Sequence, residues 1–61
     1  MITELEVQER LTRVDDAVVE AMNEVNVGPT DWKDVETYVG EASVEIAELL
    51  RLVKARRTAN A

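Results

Sequence analysis

The sequence predicts an all-α protein: one domain over residues 1–61, folded as an antiparallel two-helix hairpin that dimerises into a four-helix bundle. Two long segments repeat apolar residues every three or four positions, which is the period of a helix and not the alternation of a strand. Between them lies NVGPTDW, residues 26–32, which holds the chain's only Pro and only Trp. In addition, the apolar residues of the two segments pair in antiparallel order.

The first helix has a clear start signal. Thr3 followed by Glu6 matches a capping box, in which each side chain satisfies the other residue's free backbone N–H. Ile2 and Val7 occupy the two positions of a hydrophobic staple around that cap. We therefore expect the first helix to span residues 4–26. Its apolar residues, spaced by four and three, are Val7, Leu11, Val14, Val18, Ala21 and Val25.

The segment between the helices combines stop and start signals. Gly28 fits the left-handed position that commonly follows a helix, and Pro29 cannot continue the helix. Thr30 is a suitable cap for a second helix, and the carboxylates of Asp31 and Asp34 suit the positive end of its dipole. We interpret this segment as a corner of the fold in preference to a binding loop.

The second helix is expected over residues 31–57, after a turn at 27–30 and before a short tail at 58–61. Its apolar spacing alternates between three and four residues, as in the first helix. The positions are Trp32, Val35, Val39, Ala42, Ile46, Leu49 and Val53.

The two apolar series match when one of them is read backwards. The two residue numbers of each pair add up to 56 or 57, and a constant total is what antiparallel neighbours require. We therefore predict that the hairpin closes along these pairs, with Leu11 against Ile46 near its middle. The pairs are Val25–Trp32, Ala21–Val35, Val18–Val39, Val14–Ala42, Leu11–Ile46 and Val7–Leu49.

Charge is unevenly distributed over the chain. The net charge is −6, and residues 1–50 carry all 13 acids but only three of the seven bases. The other four bases form what we call the basic end: Arg51, Lys54, Arg56 and Arg57. Our first interpretation is that these cations complement the helix terminus and the acids of the first helix, with Glu6 beside Arg51. The alternative is that they contact an anion such as nucleic acid.

The hairpin is expected to need a partner. A chain of this length lies near the lower limit for independent folding, and the apolar pairs of one hairpin bury too little surface to offset chain entropy. Gly40 is unfavourable inside a helix by about 1 kcal/mol relative to Ala, which suggests that something packs against it. We expect an oligomer or partner interface containing Val19, Met22, Tyr38, Val44, Ala47, Leu50 and Leu52.

The composition favours binding over catalysis. The sequence has no His and no Cys, so the usual general base, thiolate nucleophile and soft metal ligands are missing. The two Gly residues stand alone and form no phosphate-binding loop. The acidic residues lie off the apolar seams, where we expect them to be solvated. We predict no catalytic residues, no metal site and no cofactor.

These features predict a small acidic protein-interaction module, a homo-oligomeric adaptor or inhibitor of the kind that small phage or plasmid genes encode. Its expected partners are itself and another protein. The first alternative is a structural component of a larger assembly such as a virion. The second is a nucleic-acid-binding regulator that uses the basic end, which the acidity of residues 1–50 disfavours. With no secretion signal and no membrane span in the sequence, we expect a cytoplasmic or virion-associated protein.

Overall fold

The computed structural model describes residues 1–59, which form two helices joined by a short turn. Helix α1 spans Glu4–Asn26 and helix α2 spans Trp32–Ala59. The helices pack against each other, which confirms the predicted all-α hairpin. The Cα atoms extend over 48 × 17 × 12 Å, so the hairpin is a single layer of two helices. Neither helix is long and apolar enough to cross a membrane.

Helix α1 begins at the predicted residue, but its cap differs in detail from a capping box. The Glu6 backbone N–H donates to Thr3 Oγ1 at 3.1 Å, as expected. The Glu6 carboxylate, however, accepts from the Thr3 hydroxyl at 3.2 Å, where a capping box would bind the Thr3 backbone N–H. The single hydroxyl thus makes both contacts. Ile2 is buried and Val7 is half-buried beside this cap.

The turn does not use a left-handed glycine, so that prediction for Gly28 is wrong. No Gly in the described chain has a positive φ. Val27, the C-cap of α1, has φ −106° and ψ 80°, and its backbone N–H still donates to the Asn23 carbonyl at 3.0 Å. The peptide bond between Gly28 and Pro29 is cis. The turn that follows α1 thus contains no residue with a positive φ.

The cap of α2 is Asp31 and not Thr30, so the prediction of Thr30 as the cap is wrong. Asp31 Oδ1 accepts from the backbone N–H of Lys33 at 3.0 Å and from that of Asp34 at 3.4 Å. Thr30 instead donates its hydroxyl to the Val25 carbonyl at 3.4 Å, on the other side of the turn. A carboxylate at this position satisfies free amides and also favours the helix dipole, which explains why Asp takes the cap.

Helix α2 starts one residue later than predicted and continues beyond the predicted end. Thr58 and Ala59 are helical, so the tail expected from residue 58 is wrong at these two positions. The Thr58 hydroxyl donates to the Lys54 carbonyl at 2.9 Å, a bond made within the last turn. Asn60 and Ala61, the rest of the predicted tail, lie outside the described residues.

Two polar contacts fix the antiparallel register. Arg10 Nη1 donates to Glu45 Oε1 at 3.1 Å, and Arg56 Nη1 donates to the Ile2 carbonyl at 2.7 Å. Arg10 and Glu45 immediately precede Leu11 and Ile46 in the sequence. The predicted central pair therefore lies within one residue of this contact in each helix.

Only half of the predicted apolar seam closes the hairpin. Within residues 1–59, the buried apolar residues are Ile2, Ala21 and Leu49. The half-buried members of the seam belong to the same alternate pairs, Val7–Leu49, Val14–Ala42 and Ala21–Val35. The pairs between them remain on the surface, because two helices in one layer offer a single line of contact. The other row of the seam is left without a covering layer.

Candidate functional site

One face of the hairpin carries a continuous set of uncovered apolar side chains. Within each helix its members recur mainly at intervals of seven residues, so they lie along one side of a straight helix. Each residue is between 40% and 70% exposed. We call this surface the apolar face, and it consists of Leu11, Val18, Met22, Val25, Trp32, Val39, Ile46, Leu50 and Val53.

Both helices contribute to the apolar face at its centre. A shallow groove of about 400 Å³ runs between them at this surface. From α1 it is lined by Val18, Met22 and Val25, and from α2 by Val35 and Val39. Three of these five residues belong to the uncovered row of the predicted seam. The sequence pattern that predicted a hairpin core thus describes a surface two rows wide, of which the hairpin covers one row.

On the opposite side of the interface, charged side chains form ion pairs between the helices. Arg10 Nη1 lies 3.1 Å from Glu45 Oε1 and 3.6 Å from Glu48 Oε1, and Arg13 Nη2 lies 4.0 Å from Glu45 Oε1. The Arg10 and Glu45 side chains are partly buried, so their aliphatic portions cover the neighbouring apolar row. We call this side the charged face, defined by Arg10, Arg13, Glu45 and Glu48. Arg13, Tyr38 and Glu45 also line an open groove of about 800 Å³, so this side is only partly covered by its own residues.

Tyr38 is half-buried on the side of the charged face, seven residues before Glu45. Its pKa is raised above the ordinary phenol value, mainly by the negative charge of Glu20. Partial burial and the charges of Asp34, Glu24 and Glu41 act in the same direction. The Tyr38 phenol therefore remains protonated at neutral pH and is a potential hydrogen-bond donor among carboxylates.

The structure brings two of the predicted interface residues onto the apolar face and places two others elsewhere. Met22 and Leu50 are exposed and belong to the apolar face. Tyr38 and Leu52 are half-buried, and their spacing of seven residues on each side of Glu45 aligns them with the charged face. These two side chains contribute to the closure of the hairpin itself.

The remaining predicted interface residues point away from both rows of the seam. Val19, Val44 and Ala47 are exposed, and Val44 is among the most exposed large apolar residues of the chain. Gly40 and Val44 both line the groove on the side of the charged face. A Cβ atom added at Gly40 would have no neighbour within 4 Å, so nothing in the described chain packs against it.

The basic end is partly occupied in holding the chain terminus. Arg56 is half-buried and donates to the Ile2 carbonyl at 2.7 Å, which ties the end of α2 to the residue before the α1 cap. The expected pair of Glu6 and Arg51 is not among the ion pairs of the described residues, and the Glu6 carboxylate accepts from the Thr3 hydroxyl instead. The other three cations of the basic end are exposed.

Comparison with known proteins gives no further guide. No protein-family model, curated protein or solved structure matches this chain. Within residues 1–59, no three acidic side chains come together as a possible metal site.

Sequence reasoning missed the contribution of Arg10 and Glu45 to closing the hairpin. The available signal was the row of residues that flanks the seam at intervals of seven, Tyr38, Glu45 and Leu52 in the second helix. The residue numbers of Arg10 and Glu45 add up to 55, close to the 56 or 57 of the seam pairs, so the two residues are expected to lie opposite each other. A mixed polar and apolar row of this kind is typical of the boundary of an interface.

Proposed function

We propose that this chain is a non-enzymatic protein-interaction module that works as a homo-oligomer. In this proposal two hairpins cover each other's apolar face and form a four-helix bundle. The observation that supports it is the uncovered apolar face, which occupies one whole side of a single-layer fold. The dimer would then act as an adaptor or inhibitor towards another protein.

The solvent-accessible surface area of the chain supports the proposal that a partner covers part of it. A folded monomer of 6.8 kDa is expected to expose about 3,950 Å². This hairpin exposes 4768 Å². The excess is about 800 Å², which is the area that each partner typically buries in a stable protein–protein interface.

The extent of the apolar face supports the same proposal. The largest apolar patch on an ordinary monomer covers about 300–600 Å² and is often functional. Here nine large apolar residues in two helices lie on one side, while charged residues form ion pairs across the other side. A second helical layer covers such a side most simply, since helices pack through rows of this spacing.

The charged face gives the proposed dimer an outer surface. When the apolar faces meet, the charged faces of both copies point outward, together with Tyr38 and the carboxylates around it. A partner protein would then recognise polar and acidic groups. This role needs no catalytic group, and it agrees with the net charge of −6.

Light scattering of the purified chain over a range of concentrations tests the proposal. We expect twice the chain mass of 6.8 kDa at high concentration. Helix content, followed by circular dichroism, should fall on dilution, because folding and association are coupled. A monomer with constant helix content at every concentration would contradict the proposal.

The same measurement distinguishes the alternative of a larger assembly. If the apolar face is covered by an unlike subunit, as in a virion component, the isolated chain should remain monomeric and be poorly helical. That outcome would favour a structural role in a mixed assembly over a homo-oligomer.

A further inference from the structure

We infer that the second copy docks in the antiparallel orientation, with the turn of each hairpin beside the chain termini of the other. Helix α1 then lies along α1 of the second copy, and α2 along α2. This inference rests on the proposed self-association and adds its geometry. The observations behind it are the distribution of charge along the hairpin and the positions of the apolar rows.

Two symmetric arrangements can bring the apolar faces together. A two-fold axis parallel to the helices puts both turns at the same end and packs α1 on α2 of the second copy. A two-fold axis perpendicular to the helices within the interface puts the turns at opposite ends and packs each helix on its own equivalent. Both are closed dimers in which the same surface is used twice.

Charge differs strongly between the two ends of the hairpin. Residues 20–41, which include the turn, carry six acids and one base, a balance of −5. The opposite end consists of residues 1–10 and 48–59. It carries four acids and five bases, a balance of +1.

The orientation decides which ends meet. Packed helices lie about 8–10 Å apart, which is close to the Debye length of about 8 Å at physiological ionic strength, so charges of the two layers still interact. The parallel arrangement brings two ends of −5 together, and like charges in an interface are unfavourable. In the antiparallel arrangement each acidic turn lies over the basic end of the second copy. Electrostatics therefore favours the antiparallel dimer.

The apolar rows fit this orientation around a single axis. In α2, Val39 then lies beside Ile46 of the second copy. The two-fold axis therefore crosses α2 halfway between these residues, at positions 42 and 43. In α1, Leu11 lies beside Val18 of the second copy, so the axis crosses α1 at positions 14 and 15. Residues 14 and 42 form a seam pair at the same level of the hairpin, so one axis serves both helices.

The parallel arrangement would also align apolar residues, with Val18 facing Val39 of the second copy. Apolar packing alone therefore does not choose between the arrangements. The charge difference between the ends makes the choice.

Disulfide cross-linking distinguishes the two dimers, because the chain has no Cys of its own. Equal mixtures of two single-cysteine variants are oxidised, and the mixed dimer is measured by mass spectrometry. V39C with I46C should cross-link in the antiparallel dimer. V39C with V18C should cross-link only in the parallel dimer. A disulfide requires Cβ atoms within about 3.5–4.5 Å, so the wrong pair should give at least tenfold less product.

A distance between the two turns gives an independent test. Gly28→Cys places a spin label at an exposed turn position where a Cβ meets nothing within 4 Å. The hairpin is 48 Å long, so the two labels should be far apart in the antiparallel dimer. We expect roughly 40 Å by electron–electron dipolar spectroscopy, from 28 residues at about 1.5 Å rise each. The parallel dimer would bring them within about 20 Å, two interhelical spacings.

The outcomes separate the inference from the proposed function. A long distance together with the V39C–I46C product supports the antiparallel dimer. A short distance together with the V39C–V18C product overturns the orientation and leaves self-association intact. A monomeric mass with no dipolar distance overturns both.

Discussion

Replacement of Val39 by Glu tests the apolar face at the groove lined by both helices. Val39 is 54% exposed in the hairpin, so about half of its surface remains to be covered by a second copy. Val44 is the control, because it is 71% exposed on the same helix but lines the groove on the side of the charged face, away from the apolar face. The two Val→Glu variants make the same substitution in the same helix, on different sides of it.

The expected effect follows from the exposed fraction of Val39. Burying the remaining half of a Val contributes about 1 kcal/mol per copy, since complete burial contributes about 1.5–3 kcal/mol. A carboxylate brought into an apolar interface adds at least a similar penalty. Because each dimer contains two such sites, the total loss is about 4 kcal/mol. The dimer dissociation constant should rise about a thousandfold.

Sedimentation equilibrium gives the dissociation constant, and circular dichroism at the same concentrations gives the helix content. We expect Val39→Glu to be monomeric and poorly helical at concentrations where the unmodified chain is dimeric. Val44→Glu should keep the mass and helix content of the unmodified chain. Equal effects of both substitutions, or an effect of Val44→Glu alone, would refute the assignment of the interface to the apolar face.

Three further changes test local features of the hairpin. Gly40→Ala should raise the free energy of unfolding by about 1 kcal/mol in urea titrations, and a loss of stability would show that a partner packs there. Asp31→Ala should lower the free energy of unfolding by about 1 kcal/mol, because the α2 cap is lost. Thr30→Ala should change it by less, and a larger effect of Thr30→Ala would contradict the assignment of the cap to Asp31. Spectroscopic titration should place the pKa of Tyr38 above the ordinary phenol value of 10.0, and Glu20→Gln should lower it; an unchanged pKa would exclude Glu20 as the main cause.

The helix boundaries could largely be predicted because local residues determine them. The start of α1 follows from the hydroxyl of Thr3 and the amide of Glu6, which are neighbours in the chain. The start of α2 was assigned one residue early, since Thr30 and Asp31 are both good caps and the choice depends on what the Thr30 hydroxyl contacts across the turn. The conformation of Gly28 likewise depends on how the whole turn closes.

The surface of the candidate site was harder to predict because both rows of the seam have the same spacing. A series such as Leu11, Val14 and Val18 indicates an apolar side of the helix but not which part of that side meets the neighbouring helix. The choice is made by Arg10 and Glu45, whose long side chains close one edge of the contact. That contact links residues 35 positions apart in the chain, so it could be predicted only by pairing the rows that flank the seam in the two helices.

A hairpin one layer thick also has consequences for the lifetime of the protein in a cell. Proteases act on opened chains, and in the proposed oligomer the fraction of opened chains falls as the total concentration rises. Newly made copies would be degraded fastest when few others are present. Abundance would then respond more steeply than in proportion to the rate of synthesis. A protein with so few buried residues could in this way be cleared quickly once its synthesis stops.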